Sequence, residues 1–370
     1  LTCLWLARNL KLAPKENFAG VAEEGLAAGL RAYELKNLNI LVSTRGHYSL
    51  QKSADVLGLG RKNVIAIPTT KSFKVDVAAL ERKAKALKAE GRGILAVVGV
   101  AGTTETGHID PLQELAEVCR SQDCHFHVDA AWGGPTLFSE KYRHLLSGIE
   151  QADSVIIDAH KQLYVPVGAG IALFKEPTAA RAIEHHASYI IRRGSRDLGK
   201  FTLEGSRAGL AMLVHSGLRI IARSGYELLI DLGIGKAAGF AKTIAHTRDF
   251  ELVSPPETNL LTYRYVPEAV QKILASEDPA KIQRCNKILN ELTIHIQKRQ
   301  RSHGQTFVSR TTIEAPQYDG QALTVFRVVL ANPLTTRQIL ASVLEEQREH
   351  SAVCVTYDNI DQRLNNLLGD

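Results

Sequence analysis

Short apolar runs alternate along this chain with longer stretches in which apolar residues return every third or fourth position. The runs are LNILVST, NVIAIP, GILAVVGV, CHFHVDAA and SVIIDAHK; between them lie RGHYSLQKSADVLGLG, VDVAALERKAKALKAEG and DPLQELAEVCRSQ. A short run without a polar face predicts a strand buried on both sides, and the three-to-four spacing predicts a helix with one face on the core. Their alternation predicts a parallel, doubly wound α/β sheet with helices on both faces. GAGIALFK reads as a returning hairpin partner of the last run. Asp76 opens one helix at its positive end. Asp110 followed by Pro111 predicts an N-cap and first helical residue for another.

From about residue 202 the texture changes to a long helical stretch, EGSRAGLAMLVHSGLRIIARSGYELLIDLGIGKAAGFAKTIAHT. FELVSPPETNLLTYRYVP then reads as strand, loop and strand, residues 267–300 as a helix, TVFRVVLANP as a strand, and TTRQILASVLEEQREH as a helix with a threonine available to cap it. The pattern predicts a large domain over residues 1–247 and a smaller α+β domain over residues 248–370. NIDQRLNNLLGD, at the end, carries no clear pattern.

Charge excludes one class of function. The net charge of +6 is mild and both signs are mixed along the chain. No basic block interleaves with aromatics, which argues against nucleic acid as a partner. No apolar run approaches the roughly twenty residues of a membrane span. The five cysteines are scattered and form no CxxC pair, so free thiols and a cytoplasmic setting are expected. The chain opens at Leu1 inside a helical pattern, as a fragment of a longer protein would.

In parallel sheets ligands sit beyond the carboxyl ends of the strands. Two predicted strands end there in chemistry: HFHVD at Asp129, SVIIDAHK at Lys161. A lysine at a strand end is ordinarily a solvated amine. Here the strand is very apolar, His160 adjoins it and the Gly-rich LYVPVGAG follows, an environment suited to a nucleophilic amine that forms a Schiff base. Asp129 could be satisfied by a backbone N–H, or could keep the ring nitrogen of pyridoxal phosphate protonated. Ala130, Ala131, Gly133 and Gly134 read as a tight turn or as a flat surface for a planar ring. His47 is a helix-entry residue or a ring-stacking group; Thr103 and Thr104 are turn residues or hydroxyl donors to a cofactor oxygen. His125, His127 and Asp129 alternate on one strand face and could chelate a metal. That reading leaves Lys161 unexplained and lacks a third segment, so it ranks below the cofactor.

Taken together, GHYS, AGTTETGHID, HVDAAWGG and SVIIDAHK, in this order and spacing over residues 1–210, resemble the group II pyridoxal-phosphate-dependent amino-acid decarboxylases, a family acting on glutamate, aromatic amino acids or aspartate. The resemblance implies the fold-type-I architecture of pyridoxal-phosphate enzymes, a homodimer and no metal. It implies that Lys161 carries the cofactor, that Asp129 pairs with its ring nitrogen, and that His47 and Ala131 lie on its two faces. It further implies that Thr104 lies near the cofactor, that His160 contacts its phosphate and that Arg327 holds a substrate carboxylate. The implied reaction is decarboxylation of an acidic amino acid, aspartate to β-alanine ahead of glutamate to γ-aminobutyrate; another enzyme of this fold (an aminotransferase or lyase) or an inactive relative are the other readings. Three departures stand out. Asp158 and Ala159 occupy the place of the family's Asn-Pro, and a carboxylate there is unfavourable beside a phosphate. IIRRGSRDLGKF lacks the tyrosine of the family's mobile loop, with Tyr189 just ahead of it. The family's phosphate-binding Gly/Ser-rich loop and an N-terminal dimer segment are expected upstream of Leu1.

Overall fold

The computed structural model describes residues 1–192, 194–357 and 359–369. The chain divides into two compact units. The first comprises residues 1–70, 74–104 and 108–228, and the second residues 71–73, 105–107 and 229–370.

In the first unit α1 (Thr2–Lys11) and α2 (Val21–Ala32) precede β1 (Leu38–Ser43), α3 (Ser49–Val56) and β2 (Val64–Ile67). Then follow α4 (Val77–Ala89), β3 (Gly93–Val100), α5 (Leu112–Gln122), β4 (His125–Asp129), β5 (Ser154–Asp158) and β6 (Gly170–Phe174). The sheet order is β2-β1-β3-β4-β5-β6. The first five strands are parallel, and β6 returns antiparallel to β5 with Asp158 opposite Gly170. Every residue of β3 is buried, because both faces are covered. Val97 and Ala101 join Leu80 and Leu87 of α4 and Leu115 of α5; Ala96, Val98 and Val100 join Leu4 of α1 and Leu50 of α3. Each such side chain contributes about 1.5–3 kcal/mol by leaving water, so this strand anchors the unit.

Local signals explain most boundaries. The Asp76 carboxylate accepts the Ala79 N–H at 2.8 Å, as its N-cap position predicts. Asp110 behaves otherwise. Pro111 takes the N-cap position of α5 and has no side-chain cap. The Asp110 carboxylate instead accepts the backbone N–H of Val75 at 2.8 Å and of Val100 at 2.9 Å. Two buried donors outcompete the helix end, because leaving either unpaired costs more than a lost cap.

The helix α6 (Leu210–Ala245) contains a non-helical residue, Ala222. The division into units falls inside it, after residue 228, rather than beyond it at 247. Its C-terminal half explains the difference: Ala237, Phe240, Ala241 and Ile244 belong to the core of the second unit. There β7 (Phe250–Ser254), β8 (Leu260–Tyr265), α7 (Gln271–Leu274), α8 (Pro279–His303), β9 (Ser309–Ala315), β10 (Gln321–Val329), α9 (Arg337–Tyr357) and α10 (Ile360–Gly369) complete the chain. Its antiparallel sheet has the order β7-β8-β10-β9. The single helix expected over 267–300 is broken. Asp278 caps α8 through the N–H groups of Ala280 and Lys281, with Pro279 in its first turn. The terminal stretch without a clear pattern is the helix α10, whose Ile360, Leu364 and Leu367 enter the core. Thr336 accepts the Ile339 N–H at the start of α9, as expected.

Candidate active site

Four parallel strands, β1, β3, β4 and β5, end at one edge of the first sheet. The order reverses between β1 and β3, and such a switch point opens a crevice beyond the strand ends. His47 follows β1, Thr103 and Thr104 follow β3, Asp129 closes β4, and Asp158 to Lys161 follow from β5.

Backbone hydrogen bonds lock the last two ends together. The Ala130 N–H donates to the Ile156 carbonyl at 3.0 Å, and the Asp158 N–H to the Ala131 carbonyl at 3.2 Å. The Gln162 side-chain amide reaches the Trp132 carbonyl at 2.8 Å. The Gly133 N–H ties the same loop to Ala101, at the end of β3, at 2.9 Å. Glycine is required in this loop. A Cβ on Gly133 would press into the Ala101 carbonyl oxygen, and one on Gly134 would meet Ile157 at 2.7 Å.

Asp129 is half-buried. Among the described residues its carboxylate has one hydrogen bond, from the Ala131 N–H at 3.2 Å. Burial pushes its pKa up; the Ala131 N–H and the charges of Lys161 and His47 draw it back, and the Asp158 carboxylate adds to the rise. These groups therefore share one electrostatic neighbourhood. The Lys161 ammonium forms an ion pair with Asp158 Oδ2 at 3.0 Å. His160 donates from Nδ1 to the Ala169 carbonyl at 3.0 Å and turns Nε2 toward the same Asp158 oxygen at 3.8 Å. His47 accepts the Ser49 N–H at Nδ1, at 3.3 Å, and its ring lies 4.3 Å from that of Tyr48. Ala131 is half-buried beside Asp129, and Thr104 is exposed.

Arg327 lies in the second unit, on β10 opposite Thr262 of β8 and Ser309 of β9. Burial draws its pKa down, and the Glu105 carboxylate opposes that shift. Sequence reading did not single out Glu105, whose Oε2 is buried without a hydrogen-bond partner. Tyr189 is 83% exposed. Arg193, in the stretch that lacks the expected tyrosine, lies outside the described residues.

The histidines of β4 do other work. His125 and His127 both bond the Ser154 hydroxyl, at 2.7 and 2.9 Å. Burial pushes the His127 pKa down to about 3, so it is neutral. Among the described residues no group of histidine, cysteine, aspartate and glutamate is arranged to hold a metal ion.

Residues 20–266 match the model of the pyridoxal-dependent decarboxylase conserved domain. The chain belongs to this family. It is 56% identical over 350 residues to aspartate 1-decarboxylase of Aliivibrio fischeri, covering 94% of this chain and 64% of that protein. It is 31% identical to L-2,4-diaminobutyrate decarboxylase of Acinetobacter baumannii over 65% of this chain and 48% of that one. It is also 27% identical to aromatic-L-amino-acid decarboxylase of Bacillus atrophaeus, over 84% of this chain and 62% of that one. The chain thus spans less than two thirds of the length of these curated relatives. Among solved structures, mouse CSAD superposes with a TM-score of 0.80 at 26% identity, over 95% of this chain and 69% of that one. The Oryza sativa TDC complex with PLP and tryptamine gives 0.79 at 19% identity over 95% and 68%, a likeness of fold alone.

Proposed function

We propose that the protein of which this chain is part binds pyridoxal 5'-phosphate and decarboxylates L-aspartate to β-alanine and carbon dioxide. The observation that carries the reading is the meeting of Asp129 and Lys161 at the ends of adjacent strands. The residues present fit the cofactor. A half-buried carboxylate with a raised pKa and a single neutral hydrogen bond lacks a cationic donor, and a protonated ring nitrogen is such a donor. Lys161 would supply the amine that holds the cofactor covalently, and Ala131, a small residue, stands beside Asp129 in the loop after β4.

When bound, pyridoxal phosphate takes up the electron pair left on the substrate's α-carbon as carbon dioxide departs. The chain's residues do the rest. Asp129 keeps its charge opposite the ring nitrogen and so holds a proton there. His47 and Ala131 would hold the ring, Thr104 would contact it, and His160 would hold the phosphate. Arg327 offers a guanidinium fork to a substrate carboxylate. Lys161 would hold the cofactor through its amine and would supply the nucleophile for product release.

Aspartate as substrate is supported by the 56% identity to the Aliivibrio protein and by 33% identity to an L-aspartate decarboxylase of Metarhizium robertsii. Glutamate differs by one methylene, worth only about 1–3 kcal/mol of discrimination. A side-by-side assay of the full-length protein reads β-alanine against γ-aminobutyrate. Faster formation of β-alanine supports the proposal, and faster γ-aminobutyrate or a need for a keto acid refutes it. A homodimer is supported by apolar side chains left on the surface, among them Tyr189, Leu203, Met212 and Ile220. A cytoplasmic setting is supported by the free thiols of Cys3, Cys119, Cys124 and Cys285; the Cys354 side chain lies outside the described residues. Among the described residues no helix is long and apolar enough to cross a membrane.

A further inference from the structure

Asp158 stands where the resemblance leads one to expect an uncharged asparagine, and the function above gives it no task. Its position is fixed on every side. It is the last residue of β5, its N–H donates to Ala131, and its carbonyl accepts the Lys161 N–H at 3.1 Å. Its cross-strand partner is Gly170, where a Cβ would make only ordinary van der Waals contact, 3.6 Å from Asp158 Oδ1. The carboxylate turns back over its own strand end toward the residues that follow it. There one oxygen, Oδ2, faces two nitrogens: Lys161 Nζ at 3.0 Å and His160 Nε2 at 3.8 Å. The side chains of Asp158 and Lys161 are 22% and 33% exposed, so water screens the pair only in part. An amide in this place could accept a hydrogen bond but could not balance the charge, and charge-assisted bonds are roughly twice as strong as neutral ones.

We propose that Asp158 is a positioning residue for Lys161: its carboxylate docks the lysine ammonium whenever that nitrogen is not engaged with the cofactor. The proposal rests on the reading of Lys161 as the cofactor-bearing lysine. A lysine released by the incoming amino acid has a long, flexible side chain and a second carboxylate in its neighbourhood, Asp129. Without a dock it could swing to Asp129, which the ring nitrogen needs. With Asp158 present, the amine stays on its own side of the crevice, three residues from its tether. When Lys161 is engaged, His160 Nε2 still lies 3.8 Å from the carboxylate.

The test is competitive acetylation. The full-length protein is freed of cofactor and treated with trace acetic anhydride, and the peptide bearing Lys161 is quantified against the exposed Lys83 of α4. In Asp158→Asn the Lys161 amine should label about three- to tenfold faster, the range expected for losing a partly exposed, charge-assisted pair. Asp158→Glu keeps the charge and should label within about twofold of wild type. Equal labelling in wild type and Asp158→Asn overturns the proposal. So does equal acceleration in the Asn and Glu variants, or acceleration of Lys83 alongside Lys161, each of which marks a loosened fold. A further arm adds pyridoxal phosphate to the wild type first. Protection of Lys161 with unchanged Asn labelling overturns the dock alone; no protection overturns the cofactor reading beneath it.

Discussion

Replacing Asp129 by Asn separates what the carboxylate does for the cofactor from what it costs the fold. The amide oxygen can still accept the Ala131 N–H, bonded at 3.2 Å in the native protein, so the loop keeps its shape and only the charge is lost. In the cofactor-free protein that loss is favourable. Burial raises the Asp129 pKa above its ordinary value. The folded state therefore prefers the protonated acid. This preference contributes stability below the unfolded value near pH 4 and is lost as pH rises through the folded value. At pH 7.5, above the unfolded value, burial of this group disfavours the folded state. Asp129→Asn should then stabilise the cofactor-free form by about 1 kcal/mol, or about 2 °C in Tm. With cofactor the sign reverses. Removing one partner of a buried charged pair costs about 3–5 kcal/mol, and each 1.36 kcal/mol is a factor of about ten in rate. Decarboxylation should fall by roughly a hundredfold to several thousandfold, and pyridoxal phosphate should raise Tm less than in wild type. Thermal unfolding with and without cofactor, beside carbon dioxide release, measures all three quantities. A cofactor-free variant less stable than wild type, or activity within about threefold of it, would refute the reasoning.

Three further outcomes follow from the same geometry. Gly133→Ala forces a methyl into the Ala101 carbonyl oxygen, so it should cost about 1–3 kcal/mol in denaturant unfolding and weaken cofactor binding together. Tyr263→Phe leaves the buried Gln347 Oε1, now bonded at 3.0 Å, without its donor; a loss of about 1–3 kcal/mol with unchanged cofactor uptake is expected. His127, with its pKa pushed down to about 3, contributes stability above the unfolded value near pH 6.5 that is lost as pH falls toward 3. His127→Gln should lessen that acid loss in a pH series of unfolding measurements, by at most about 1.4 kcal/mol per pH unit.

The large sheet was legible because its strands are apolar on both faces. Only burial between two helical layers accounts for runs such as GILAVVGV, and the parallel order then places Asp129 and Lys161 at one edge. The partners of those residues were not legible. Asp110 carries a helix-start signature, yet two distant backbone donors, on Val75 and Val100, claim its carboxylate. Asp158 lies three residues from Lys161 in a turn, and turn spacing does not fix side-chain direction. That the lysine pairs with it became visible only in the folded chain. The break before α8 was signalled by the Asp278–Pro279 pair, a cap and first-turn proline inside an apparently continuous helical stretch. The helix α10 was legible in principle, since Ile360, Leu364, Leu367 and Leu368 recur at helical spacing; its place in the core is a tertiary fact.

The central claim is that the crevice at these strand ends holds pyridoxal phosphate through Lys161. Borohydride reduction of the full-length protein after cofactor loading, followed by peptide mass mapping, tests it most directly. The added mass should fall on the peptide bearing Lys161 and disappear in Lys161→Ala. Cofactor mass fixed on another lysine, or retained in that variant, would contradict it.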